Sequence, residues 1–147
     1  MIEKHNLEGG FVMTNQELFE LAVKARELSY SPYSHFKVGA ALLAKNGTVY
    51  TGCNIENAAY TPCNCAERTA FFKAISEGVR EFEKIAIVGG KDEIATMTAP
   101  CGVCRQVMME FCNPKTFKII MLKAENELME ITLEELVPYG FGPENLE

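Results

Sequence analysis

Two short segments carry residues able to do chemistry together: Cys65-Ala66-Glu67-Arg68 and Pro100-Cys101-Gly102-Val103-Cys104. Cys101 and Cys104 are three apart, a spacing that places both on one face of a first helical turn. Cys65 stands where an irregular stretch enters another helix. Helix N-termini carry positive partial charge and favour thiolates over thiols. Three thiolates converging from two helix ends form a tripod suited to one zinc ion per chain, with a fourth position open to water. Glu67 follows Cys65 by two residues. It lies near such a metal without being needed as a ligand, so its carboxylate is free to move protons.

Arg68 sits in an unfavourable place. A cation in a first helical turn opposes the dipole by about 0.3–1 kcal/mol. Three thiolates on a divalent ion leave a negative cluster, and a guanidinium donating to the sulfurs offsets that charge. Spacing alone also admits a closed structural site, with Cys63 and Cys65 facing Cys101 and Cys104. Such a site needs no acid or base beside it, and Glu67 weighs against it. Cys53 and Cys112 read as small core residues, and Cys63 as a bystander near the pocket. His5 and His35 lack ligand spacing.

The elements that must position these groups are legible in outline. Thr14-x-x-Glu17 is a capping box ahead of apolar residues at helical spacing, Leu18, Leu21, Ala22, Ala25 and Leu28. Lys37 to Ala44 reads as a strand, Asn46-Gly47 as a type I′ hairpin turn, and Thr48 to Thr51 as the returning strand. A helix runs from near Cys65 to near Gly78, with Ala70, Phe71, Ala74 and Ile75 on its core side. Strands follow at Lys84–Val88, Phe117–Leu122 and Leu128–Ile131, and a helix from Cys101 to before Asn113-Pro114. Thr132-x-x-Glu135 opens a last short helix, and Pro138 to Pro143 reads as a loop. This order predicts an α/β fold, a three-layer α/β/α sandwich around a mixed, roughly five-stranded sheet. Residues 1–13 read as a flexible leader and 14–147 as a single zinc-binding domain.

The chain has 147 residues and a formal net charge of −6, which disfavours binding a phosphate backbone through bulk charge. Neither a membrane-length apolar run nor the apolar core of a signal peptide is present, so a cytoplasmic location is expected, with no membrane partner. In that reducing setting, clustered cysteines suggest metal or catalysis before disulfides.

The chain resembles the small cytidine deaminase family from about Asn15 to Leu146. The resemblance is carried by Phe36-x-Val38-Gly39-Ala40, Asn54-x-Glu56-Asn57, Cys65-Ala66-Glu67-Arg68, Pro100-Cys101-Gly102-Val103-Cys104-Arg105-Gln106 and Phe141-Gly142-Pro143. A Cys or His, then x-Glu, then Pro-Cys-x-x-Cys is the signature of zinc deaminases. The resemblance implies hydrolysis of cytidine and 2′-deoxycytidine to uridine and 2′-deoxyuridine plus ammonia, in pyrimidine salvage. Zinc would make water nucleophilic near neutral pH for attack at C4, and Glu67 would carry the protons. Arg68 would hold the sulfurs. Asn54 and Glu56 would grip the ribose, although alone they read equally well as polar residues capping a loop. Tyr33, Phe36 and Ala66 would line the nucleoside pocket, although Phe36 alone reads as core. Tyr60 would stand at a subunit contact near the site. Phe141 would reach a neighbouring subunit's pocket and stack on the base, in a homotetramer with shared active sites. Thr61-Pro62-Cys63-Asn64 replaces a more apolar segment found in many relatives.

Three other readings share features with this one. A blasticidin-type deaminase has the same zinc motif, but Phe141-Gly142-Pro143 favours the nucleoside enzyme. A nucleic-acid-editing deaminase would require a basic groove, and no nucleic-acid partner is expected. A zinc-stabilised binding module would show no turnover.

Overall fold

Thr14 starts the first helix by the predicted device. Its hydroxyl accepts from the Glu17 backbone at 3.2 Å, and the Glu17 carboxylate accepts from the Thr14 backbone at 2.8 Å. In the computed structural model, which describes residues 12–95 and 97–147, α1 then runs Asn15–Arg26. Most of the expected leader, residues 1–11, lies outside the described residues. Leu18, Ala22 and Ala25 are buried as the helical spacing predicts, and Phe19 joins them. Leu28 does not. It falls beyond the helix end and is 78 % exposed.

Strands β1 (Lys37–Ala44) and β2 (Val49–Cys53) form the predicted hairpin. The turn differs from the expected type I′, which requires positive φ at two central residues. Only Gly47 has positive φ there, at 86°. Its backbone N–H donates to the Ala44 carbonyl at 2.9 Å, and Ala44 donates to Thr48 at 2.9 Å. This is a three-residue connection whose left-handed position falls to glycine. Asn46 turns its side-chain oxygen onto the Thr48 N–H instead.

The remaining elements are α2 (Ala66–Ser76), β3 (Phe82–Gly90), α3 (Gly102–Phe111), β4 (Lys118–Ala124), β5 (Glu127–Thr132) and α4 (Leu133–Leu136). A short 3-10 turn, Pro143–Leu146, comes after the C-terminal loop. The strands form one sheet in the order β2-β1-β3-β4-β5, with β3 and β4 parallel and the other neighbours antiparallel. It is the mixed five-stranded sheet expected. Alternating side chains of β1 explain the layers. Ala40, Leu42 and Ala44 join α2 and α3 in one core, whereas Ala41 and Leu43 join α1 in another. β3 is longer than predicted and continues through Gly89 and Gly90, because both glycines pair across to β1. Among the described residues, no helix is long and apolar enough to cross a membrane.

Candidate metal centre and pocket

Helices α2 and α3 each begin on a cysteine. Cys65 and Cys101 are their N-caps, and neither side chain caps its own helix. Cysteine is a poor substitute for the usual capping residues, a choice that costs on the order of 1 kcal/mol per helix. It leaves both sulfurs aimed away from the helix, at the positive end of its dipole. Cys104 sits three residues further along α3, with 1 % exposure. The Sγ atoms of Cys65, Cys101 and Cys104 lie within 4.8 Å of one another, and Cys65 to Cys101 measures 3.7 Å. Sulfurs sharing one tetrahedral zinc at about 2.3 Å stand about 3.8 Å apart. The donor chemistry and the spacing therefore both fit a zinc ion.

Local electrostatics favour a thiolate at Cys65. A hydrogen bond from the Cys104 thiol, with further help from Arg68 and Cys101, brings Cys65 down to about 5 despite partial burial. The same hydrogen bond to Cys65 keeps the proton on Cys104, whose thiol is pushed up. Arg68 donates from Nη2 to Cys65 Sγ at 3.5 Å, as the sequence led one to expect. Its Nε is buried without a protein partner.

Glu67 is 4 % exposed and lines a cleft of about 290 Å³ beside these sulfurs. Burial pushes its carboxyl up to about 7. Phe36, Asn54, Glu56, Cys65, Ala66, Arg68 and Cys101 line the same cleft. Cys63 also reaches it, but its sulfur accepts from the Asn57 N–H and stands outside the sulfur cluster. Nothing here resembles the closed four-cysteine site. Cys112 packs against the core as expected, though only partly buried, whereas Cys53, also expected there, is partly buried outside it and donates to the Leu28 carbonyl.

The polar side chains expected at the sugar are held by backbone. Asn54 accepts from Val38 N–H at 2.8 Å and donates to the Phe36 carbonyl at 2.8 Å, which ties it to the start of β1. Glu56 accepts from the backbone of Tyr33 and Ser34 at 2.9 and 3.1 Å. The Ser34 hydroxyl, with these amides, keeps the Glu56 carboxyl below its usual range. Tyr33 and Tyr60 meet edge to face at 6.2 Å and line an adjoining cleft with Ser34, Glu56 and Cys63. Neither tyrosine lines the larger cleft. Phe141 lines neither of them and is 57 % exposed. Its loop is held by Gln106, which donates to the Phe141 carbonyl at 3.0 Å. Val38, Ile55, Asn64, Thr98 and Ala99 complete the larger cleft and were not anticipated. Sequence position carried a signal for some of them: Val38 sits two residues after Phe36, Asn64 directly before Cys65, and Thr98 and Ala99 directly before Pro100-Cys101.

Comparison with known proteins decides the family. Residues 13–121 match the family described as the cytidine and deoxycytidylate deaminase zinc-binding region. The chain belongs to this family. A cytidine deaminase of Sporosarcina psychrophila is 48% identical over 134 residues, covering 91% of this chain and 96% of that one. A cytidine deaminase of Halalkalibacterium halodurans is also 48% identical, with 91% of this chain and 98% of that one covered. The solved cytidine deaminase of Burkholderia pseudomallei superposes with a TM-score of 0.80 at 46% identity, over 88% of this chain and all of that one. The deaminase family's zinc requirement accords with the three-sulfur cluster, which supplies the donors for one ion per chain.

Proposed function

We propose that this chain is a zinc-dependent cytidine deaminase that converts cytidine and 2′-deoxycytidine to uridine and 2′-deoxyuridine plus ammonia. The observation that carries this reading is a buried carboxyl, Glu67, in one cleft with Cys65 and Cys101 of a three-sulfur cluster. Cys65, Cys101 and Cys104 would hold the ion. When bound, zinc supplies the Lewis acidity that makes water nucleophilic near neutral pH.

The chain's own groups do the rest. Glu67 takes a proton from the attacking water and delivers it to N3 of the pyrimidine. It then helps protonate the departing amino nitrogen, so one carboxyl gains and loses a proton in sequence. A carboxyl brought near neutrality by burial is well matched to both steps. Arg68 offsets the negative charge on the sulfurs. Phe36 and Ala66 line the place for the base, while Asn54 and Glu56 face the sugar at the cleft mouth. Asn54 still has an amide hydrogen to offer a ribose oxygen after bonding Phe36, and Glu56 retains acceptor capacity.

Residues 14–147 act as one domain, and the working enzyme is a homotetramer with shared active sites. The exposed Phe141 and Tyr60 rings support this reading, since each is an apolar surface set near or beyond the cleft. Phe141 of a neighbour stacks on the base and excludes water, which strengthens the electrostatics at Glu67. The enzyme serves pyrimidine salvage in the cytoplasm. Free cytosine should react poorly, for want of the sugar. Nucleotides and oligonucleotides should also be poor, because Arg68, the cation among the described residues lining the cleft, is engaged with Cys65.

The test is turnover of cytidine by the purified zinc-loaded chain, measured as ammonia release and as uridine formation. Stoichiometric uridine and ammonia support the proposal. No turnover of either nucleoside would reject it in favour of a binding module, and faster deamination of cytosine in single-stranded DNA would reject the substrate class.

A further inference from the structure

Arg26 ends α1 on the opposite side of the sheet from the sulfur cluster, yet its guanidinium is directed at the chain that leads to Cys101. It is 4 % exposed, the most buried cation among the described residues. Its Nη2 donates to the carbonyls of Gly90 at 2.9 Å and Lys91 at 2.7 Å, with Glu93 at 3.5 Å. Glu27, the carboxylate paired with Nη1, is itself largely exposed. The buried charge is thus balanced chiefly by backbone oxygens, an arrangement costly to desolvate unless those oxygens are held in place.

Two glycines make this reach possible. A Cβ at Gly39 would stand 2.0 Å from the Ala22 carbonyl and 2.4 Å from the Arg26 nitrogen, so only glycine lets α1 approach β1 this closely. Gly90 has φ +153°, and a Cβ there would stand 1.9 Å from the Glu93 carbonyl. The chain curls tightly after β3 and turns its carbonyls inward. It then returns, and the Ala95 N–H closes the excursion onto the Gly89 carbonyl at 2.7 Å.

Beyond this curl the chain forms one wall of the cleft. A Cβ on Gly89 would meet the Thr98 side chain at 2.7 Å and the Phe36 ring at 2.9 Å, so Thr98 and Phe36 close over Gly89. Thr98, Ala99 and Cys101 all line the cleft. The curl therefore sets where this wall begins.

We propose that Arg26 is a positioning residue for nucleoside binding, acting from the far layer of the sheet by gathering the carbonyls of Gly90, Lys91 and Glu93. It touches neither the reacting atoms nor the metal ligands. The inference rests on the proposed deaminase activity. Its observable consequence is a loosened 90–95 turn and a displaced Thr98–Ala99 wall, which weakens substrate binding more than it changes the chemistry.

The experiment uses the zinc-loaded full chain with Arg26→Gln and Arg26→Lys, beside Leu18→Val as a control that destabilises α1 packing elsewhere. Arg26→Gln should raise KM for cytidine roughly tenfold, a factor equivalent to about 1.4 kcal/mol of binding. Zinc content should be retained and kcat should change far less. Under native conditions trypsin should cut after the exposed Lys91 at least several-fold faster, read by mass spectrometry of the fragments. Arg26→Lys, which keeps a cation but loses the planar fork, should fall between Arg26→Gln and the parent. It also carries the test if Arg26→Gln does not fold. Leu18→Val should lower the melting temperature without altering KM or Lys91 cleavage. An unchanged KM in both Arg26 variants would overturn the proposal, as would a raised KM with unchanged Lys91 cleavage. Equal changes in Leu18→Val would reduce Arg26 to general stability and likewise overturn it. If the parent chain does not turn over cytidine, the proposed activity fails, and Lys91 cleavage alone then decides whether Arg26 holds the turn.

Discussion

The guanidinium of Arg68 donates to the sulfur of Cys65 at 3.5 Å, one helical turn along α2. A cation in this first turn opposes the helix dipole, so the contact offsets a local cost. It also withdraws charge from a cluster of three sulfurs. Arg68→Gln should therefore reduce activity by about 10–100-fold, the usual effect of losing a partner to a metal ligand. Without the cation, the cluster is more negative and the attacking water less acidic. The acid limb of the kcat/KM profile should move to higher pH. Unchanged activity with an unchanged profile would show that Arg68 does not act through Cys65.

Replacement of Cys65, Cys101 or Cys104 by Ala should abolish zinc retention and turnover together, measured by elemental analysis and by uridine formation. Cys63→Ala should keep both, because its sulfur bonds the Asn57 N–H and lies apart from the cluster. Zinc loss in Cys63→Ala would instead point to a fourth sulfur ligand.

Glu67→Gln preserves shape and removes the titratable carboxyl. Turnover should fall by about 10²–10⁴-fold while zinc content and nucleoside affinity persist, as judged by elemental analysis and calorimetry. Near-normal turnover would remove Glu67 from the proton path.

Phe141→Ala should fold and retain zinc but bind cytidine more weakly, by about 1–3 kcal/mol of lost stacking. Chains carrying Phe141→Ala, dissociated and reassembled with chains carrying Glu67→Ala, should recover part of the activity, because some sites then pair an intact Glu67 with a neighbour's Phe141. A fully active monomer by light scattering would reject shared sites. So would absence of recovery in confirmed mixed tetramers.

Local signals made much of the fold legible in the sequence. Thr14 and Thr132 both cap helices through the predicted reciprocal bonds with Glu17 and Glu135. The cysteine segments lie at helix starts because irregular chain gives way there to apolar residues at helical spacing. The sequence failed where distant chain decides the outcome. Leu28 continues the helical period of α1 but falls after Arg26, whose side chain is engaged by β3. Asn54 has the chemistry of a sugar ligand, and its backbone partners Phe36 and Val38 become visible only once β1 and β2 are paired. Tyr33 and Tyr60 are 27 positions apart in sequence, and their contact depends on the loops that meet around Glu56. Thr98 and Ala99 carry no pattern of their own and reach the cleft through the curl after β3.

Cys65 and Cys101 are 36 residues apart, and all of β3 lies between them. An ion held by both sulfurs would therefore act as a crosslink, closing a loop that contains the middle strand of the sheet. The loop also contains α2, and its closure lowers the entropy that β3 would gain on leaving its neighbours. Loops of this size restrict the unfolded ensemble strongly when closed. Occupancy of the metal centre would then also be felt in amide exchange along Ile85 to Val88, in the buried middle of the sheet. Metal occupancy and the stability of the central strand would then be linked, the one read through the other.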